Sequence, residues 1–275
     1  MTAAMTTTRS SAYSTNELVT ALVASEIRDD DLVFVGVGTN GRAFTLAVGI
    51  PLVALQLARL RHAPGASVYF GNLLEPDLSQ MPTTLRQDSF TRWHAAASTA
   101  DVGYKCDMLM RRRFDVSFDS AAQIDAHGNL NITAIGDYAR PAVRLVGCLA
   151  QPEHLAFVPR PIVMMDLSRR GFVEKVDFVT SVGHARDGRT REELGLASGG
   201  PHLVVTDKAI FDFATPGRRM RLRSLHPGVS REEVLDLMGF VPVIPDEVPV
   251  TPEPAAADLA AIRSTIDPHR TLLKV

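Results

Sequence analysis

Three side-chain amides, Gln123, Asn129 and Asn131, crowd into one short run of this sequence. Amides donate and accept hydrogen bonds without titrating, so a group of them can position a substrate's polar atoms. Gln123 and Asp125 flank Ile124, an alternation expected at a strand end. His127-Gly128-Asn129 is a turn signal, because glycine and asparagine tolerate positive φ. Leu130, Ile132 and Ala134 then alternate with Asn131 and Thr133, the pattern of a returning, half-buried strand. A hairpin needs no amide-rich face in order to fold. A turn stitched by its own side chains and a ligand-binding face are equally good readings of these residues.

A second chemical feature stands earlier. Leu32-Val-Phe-Val35 is a continuous apolar run, as in a strand buried on both faces, and Gly36-Val-Gly38 follows at its carboxyl end. An Ala/Leu/Val-rich helix is expected from about Thr45 to Arg61. Strand, glycine loop and helix make the first half of a βα unit, and ligands bind at such strand ends. Gly36 and Gly38 can let a ligand approach the backbone, or serve only a tight turn. The spacing lacks the G-x-G-x-x-G fingerprint, so a dinucleotide site is disfavoured. Cys106 and Cys148 form neither a disulfide framework nor a metal-ligand spacing, and no H-x-x-x-H or H-E-x-x-H occurs among the histidines. No metal is expected, and Cys148 is expected to be a buried, inert thiol.

From Ala122 to Tyr138 the pattern A-Q-I-D-x-x-G-N-x-N-x-T-x-I-G-D-Y resembles the signature of the β subunit of class I CoA-transferases. It is most similar to the β chain of glutaconate CoA-transferase and to the β subunits of related steroid-ring-opening hydrolases. The resemblance implies an α/β fold acting on acyl-CoA thioesters. Coenzyme A enters as part of the substrate, with no separate bound cofactor. It also implies an α subunit of the same family, in a heterodimer or heterotetramer, with the active site at the junction. Gly36 and Gly38 match a V-G-x-G loop beside that site. Gly71, Asn72, Gln123, Asn129, Asn131, Gly136 and Gly147 complete the positions that the resemblance places at substrate.

The chain departs from the family where the reaction is decided. The family's second strand ends in E-[SN]-G, whose glutamate is the covalent nucleophile. Here the positions are Phe70-Gly71-Asn72-Leu73, with glycine in place of the glutamate. In the transferases that carboxylate attacks the thioester carbonyl to give a mixed anhydride, and the CoA thiolate then returns to leave a glutamyl thioester. Glycine has no side chain to do this, and an asparagine amide is a poor nucleophile. Glu75, four residues on, is the substitute if the loop is rearranged, and otherwise a loop residue held before Pro76. The family's second loop, G-x-G-G, offers backbone amides to the reacting oxygen. This chain has Gly147-Cys-Leu-Ala-Gln-Pro-Glu153, without the later glycines and with a proline that carries no amide hydrogen.

At 275 residues, 45% of them hydrophobic, the chain can bury a large core. Residues 1–12 are expected to be a disordered start and 13–275 one α/β domain, with an open, largely parallel sheet flanked by helices. With 29 basic against 31 acidic residues there is no electrostatic footprint for nucleic acid, and Arg111-Arg-Arg113 is expected to be a solvated run. The start lacks the apolar core of a signal peptide, and no membrane span is expected, which points to the cytoplasm. Ser14 and Glu17 form a capping box, and Ser230 with Glu233 another helix start. Ser67–Phe70, Asp115–Phe118 and Pro161–Asp166 are expected strands, His226 a structural turn residue, and Phe90, Trp93, Tyr104 and Met108 packing anchors. Function has three readings. The missing glutamate favours a hydrolase that opens a keto ring or cleaves a C–C bond, with a base from either subunit. The alternatives are acyl exchange between carboxylic acids and a non-catalytic structural subunit.

Overall fold

The computed structural model describes residues 13–36, 41–80, 93–98, 101–196 and 199–273. The start at residues 1–12, Gly38 and Phe90 lie outside these. The first helix, α1 (Thr15–Glu26), opens on the expected capping box: the Ser14 side chain accepts from the Glu17 amide while the Glu17 carboxylate accepts from the Ser14 amide. Strand β1 (Leu32–Val35) leads into α2 (Arg42–Phe44), a π-helical turn over Thr45–Gly49, and α3 (Ile50–Arg61). Arg42–Arg61 is long and apolar enough to cross a membrane by length and composition, yet most of it is buried inside the protein, where α3 packs on α1.

Strands β2 (Ser67–Phe70), β3 (Leu73–Pro76) and β4 (Ala95–Ser98) precede α4 (Val102–Met110) and β5 (Val116–Asp119). The hairpin β6 (Gln123–Ile124) and β7 (Leu130–Asn131) is followed by the short pair β8 (Ala134–Ile135) and β9 (Val143–Arg144). Next come α5 (Gln151–Phe157), β10 (Arg160–Met164) and a small ribbon, β11 (Ala185–Arg186) with β12 (Arg189–Thr190). The last strands are β13 (Leu203–Val205), β14 (Ala209–Asp212) and β15 (Arg221–Leu225), and the chain closes with α6 (Arg231–Asp236) and α7 (Ala256–Ala261).

The main sheet has nine strands in the order β15-β14-β13-β10-β5-β1-β2-β3-β4. The expected α/β fold with an open sheet flanked by helices is present, and its parallel part is the central five strands, β13 to β2. Two antiparallel strands extend it at each side. Connection length sets this division: Gly71-Asn72 alone joins β2 to β3, and parallel neighbours need a crossover. Along β1 the side chains alternate between two cores. Val33 and Val35 face α1 and α3, whereas Phe34, with Tyr69, faces Leu109 of α4 and Ala150 before α5. Trp93 is a buried anchor against Phe70, its Nε1 donating to the Asp77 carbonyl. Tyr104 is not an anchor: α4 turns it to solvent, 51% exposed, because Lys105 and Leu109 take the helix's inner face. Arg111, Arg112 and Arg113 are exposed, as expected of a solvated run. His226 is buried and structural, bonded to Thr251 and to the Thr206 carbonyl.

The hairpin tip is clamped from outside. A side chain on Gly128 would strike Pro201 and Phe213, and one on Gly183 would strike the backbone at His127. His184 completes the clamp, its Nε2 bonded to the Pro201 carbonyl and its ring against Phe213. Burial, with smaller help from the positive charges of Arg191 and Arg218, pushes its pKa from 6.5 down to about 4. The folded value lies below the unfolded one. Its contribution is therefore present above pH 6.5 and is lost as pH falls through 6.5 towards 4, to a total on the order of 3 kcal/mol. H184Q keeps a donor for Pro201 and removes the titration. Urea unfolding midpoints measured across that window should fall less steeply for H184Q than for the wild type.

Candidate active site

A cavity of about 790 Å³ opens where β1, β2 and β5 end. Gly36 follows β1 and Gly71 follows β2, while Phe118 and Asp119 are the last residues of β5. The segment Leu145–Ala150 crosses one side, α5 brings Gln151 and His154, and α4 brings Lys105. This is the edge at which an open parallel sheet collects ligands. Of the residues expected at substrate, Gly36, Gly71 and Gly147 line the cavity. Asn72, Gln123, Asn129, Asn131 and Gly136 do not.

The amides of the hairpin are spent on the fold. Asn131 donates from Nδ2 to Gln123 Oε1 at 2.7 Å and to the Ala134 carbonyl, and its Oδ1 accepts from the Thr133 amide. Gln123 Oε1 also accepts from the Asp177 amide, and its Nε2 donates to Asp177 Oδ2. Asn129 donates to Asp125 and to the Ala185 carbonyl, and accepts from the Gly183 amide. All three side chains are buried, and buried polar groups must find partners, so they lock the hairpin to its neighbours. Of the two readings of the amide cluster, the stitched turn is thus present in the fold.

The glycines are equally committed. Gly71 has φ +61 at the first of the two residues between β2 and β3, the position a type II′ turn reserves for glycine. Its amide donates to the Val35 carbonyl. Gly147 has φ +80 and donates to the Ile132 carbonyl, and Gly136 donates to Asp177. These three amides therefore have protein partners, and the family's amide cradle is not formed from them. Gly36 and Gly147 leave open space where a side chain would be.

Glu75 points away from the cavity. Both its oxygens accept from Arg59 Nη2 at 2.7 Å, and Oε1 also accepts from the Val68 amide. It lies within β3, between β2 and β4, and is paired with Arg59 of α3. Cys148 sits on the cavity rim, exposed rather than buried as expected. Desolvation of its sulfur, with the Glu153 carboxylate adding repulsion, raises the thiol's pKa and keeps it a poor nucleophile.

Three chemically capable residues in the wall escape a reading by motif. Asp119 Oδ1 lies 2.8 Å from His154 Nδ1, with both side chains almost fully buried. Asp119 Oδ2 accepts from the Ser117 hydroxyl. A carboxylate only accepts, so Nδ1 carries the hydrogen and Nε2 of the neutral ring carries the lone pair. That Nε2 has no hydrogen-bond partner among the described residues. Lys105 is the third, 3% exposed, with Nζ 5.9 Å from the centroid of Phe34, whose ring also packs on His154. The one sequence signal was Asp119 at the carboxyl end of an apolar strand. Its partner stands 35 residues away. Among the described residues no cluster of three or more His, Cys, Asp or Glu side chains could hold a metal ion.

Comparison with known proteins gives the family. The coenzyme A transferase family model matches residues 107–237. The chain is 34% identical over 260 residues to the second subunit of 3-oxoadipate CoA-transferase from Pseudomonas knackmussii, covering 92% of this chain and 94% of that one. The chain belongs to the coenzyme A transferase family. Among solved structures, glutaconate coenzyme A-transferase from Acidaminococcus fermentans superposes with a TM-score of 0.79 at 29% identity, over 96% of this chain and 98% of that chain. A family member with another reaction is also similar: the cholesterol ring-cleaving hydrolase IpdB subunit of Rhodococcus jostii, 30% identical over 80% of this chain and 83% of that protein. Family membership thus makes this chain an enzyme of the group and leaves its reaction to the site.

Glu75 tests whether this chain retains a nucleophilic carboxylate at the β2–β3 turn. E75Q should lower stability by about 1 kcal/mol through the weakened pair with Arg59. It should leave steady-state turnover within about twofold, as expected of a residue outside the reacting centre. A collapse of kcat in a folded E75Q protein would return Glu75 to the mechanism.

Proposed function

We propose that this chain is the β subunit of a heteromeric enzyme, paired with an α subunit of the same family, that hydrolyses a C–C bond in the acyl group of a CoA thioester. A ring ketone is the group that such chemistry opens, and coenzyme A serves as a handle rather than a leaving group. The observation that carries this reading is the exchange of functions at the cavity. The strand end at Gly71 offers no carboxylate, while the Asp119–His154 pair brings a base to the same cavity.

In this reading water must reach the enclosed Nε2 of His154, and Asp119 and His154 then act in turn. Asp119 holds the imidazole in one tautomer and orientation, so Nε2 accepts a proton from water as the water oxygen adds to the carbonyl carbon. The oxyanion then collapses, the C–C bond breaks, and its electron pair goes to the departing carbon. His154 returns its proton to that carbon. The products are a carboxylic acid and a new C–H bond, with the thioester intact.

The subunit seam also has support. Tyr138, Val143, Val146 and Leu149 are exposed, and Val146 and Leu149 belong to the cavity rim itself. Apolar side chains at the mouth of a site are what a partner chain covers. Whole-length likeness to a 3-oxoadipate CoA-transferase chain favours the second reading, acyl exchange between acids, for which the partner would have to supply the carboxylate. Shared ancestry speaks for a shared ligand class and not for a shared reaction.

Two measurements on the αβ complex separate these readings. Acyl-CoA followed by borohydride should leave this chain's mass unchanged, and product should form in water without any acceptor acid. A reduced glutamyl adduct on this chain would defeat the hydrolytic reading. H154Q should lower kcat by about 10²–10⁴-fold, the range for loss of a general base. An unaltered kcat would move the base to the partner.

A further inference from the structure

Ser117 places a hydroxyl in the middle of the main sheet. It lies on β5, between β10 and β1, and is fully buried. An apolar side chain packs in such a place at no polar cost, whereas a buried hydroxyl must find a partner. Its partner is Asp119 Oδ2, at 3.0 Å. Residues two apart on a strand share a face, and here that face meets α5, while Val116 and Phe118 belong to the opposite core.

The two carboxylate oxygens are thereby divided between partners. Oδ2 takes the hydroxyl of its own strand, and Oδ1 is left for His154 Nδ1 at 2.8 Å. A hydrogen bond given to a carboxylate stabilises its charge and weakens its pull on a second donor. We propose that Ser117 is a positioning residue for the reaction: its hydroxyl fixes the plane of the Asp119 carboxylate and sets how strongly Nε2 of His154 takes a proton. The inference rests on the general-base reading of His154. Other charged or titratable groups also face this end of the cavity. They are Lys105 of α4 across the Phe34 ring, Tyr69 of β2 in the same core, and Cys148 on the rim with Glu153 of α5 beside it. A change at Ser117 leaves all of them in place.

NMR titration of the αβ complex, with carbon-13 histidine in this chain, tests the proposal. The His154 signal is the one that H154Q removes. S117A should raise the midpoint of that signal's titration by about half a pH unit, because the Asp119 charge it releases favours the imidazolium. S117C, close in size and a weaker donor, should raise it by less. In a D119N complex no carboxylate is left to tune, so adding S117A should move the midpoint by less than about 0.2 unit. A midpoint that stays or falls in both S117A and S117C overturns the proposal. So does a shift that persists in the D119N background, the mark of a general disturbance of β5. Wild-type turnover retained by H154Q overturns the general-base reading itself, and that rate is measured apart from the titration.

Discussion

Parallel pairing of β1 with both β2 and β5 is the constraint on which the cavity depends. Register sets Val35 beside Phe70 on one side and Phe118 on the other, so the three strands end together. The residues at or just past each strand end are then brought to one place: Gly36, Gly71 and Asp119. Because side chains alternate along β1, Phe34 turns to the face where α4 and α5 pack. Lys105 and His154 reach the cavity from those two helices. A register slip of one residue would send Phe34 to the opposite core and dismantle this arrangement.

Local structure was legible wherever a residue's neighbours in sequence are also its neighbours in space. The Ser14–Glu17 capping box, the apolar run of β1 and the hairpin around Gly128 all follow from spacing alone, since each is made by side chains within a few positions. The family signature, too, is concentrated in one short run. The site was less legible for the same reason. Asp119 and His154 meet only because β5 and α5 border the same cavity, and no periodicity links a strand-end aspartate to a histidine one helix later. Lys105 reads as an ordinary helix residue until the buried face of α4 is known.

The hairpin amides have a structural use that spacing alone does not separate from a ligand-binding one. Gln123, Asn129 and Asn131 are conspicuous because such groups are rare inside proteins, and both a ligand and the fold itself can satisfy them. Here the fold does. Asn131 and Gln123 bond to each other and to the backbone of crossing segments, and Asn129 ties the hairpin to Gly183 and Ala185. A signature built from such residues marks the family's architecture.

At Gly71 the backbone and the reaction are coupled. A two-residue turn between β2 and β3 requires positive φ at its first position, where an L-residue pays about 1 kcal/mol or more in strain. A glutamate there would be strained as well as misdirected, since the turn's geometry fixes where its side chain leaves the chain. Absence of the carboxylate is thus more than one substitution on an unchanged strand end. Placing a carboxylate at this position would need the β2–β3 connection rebuilt, with the Gly71 amide released from the Val35 carbonyl. By contrast, the Asp119–His154 pair asks nothing of that turn. The pair joins β5 to α5 without using β2, so its geometry is independent of the hairpin at Gly71.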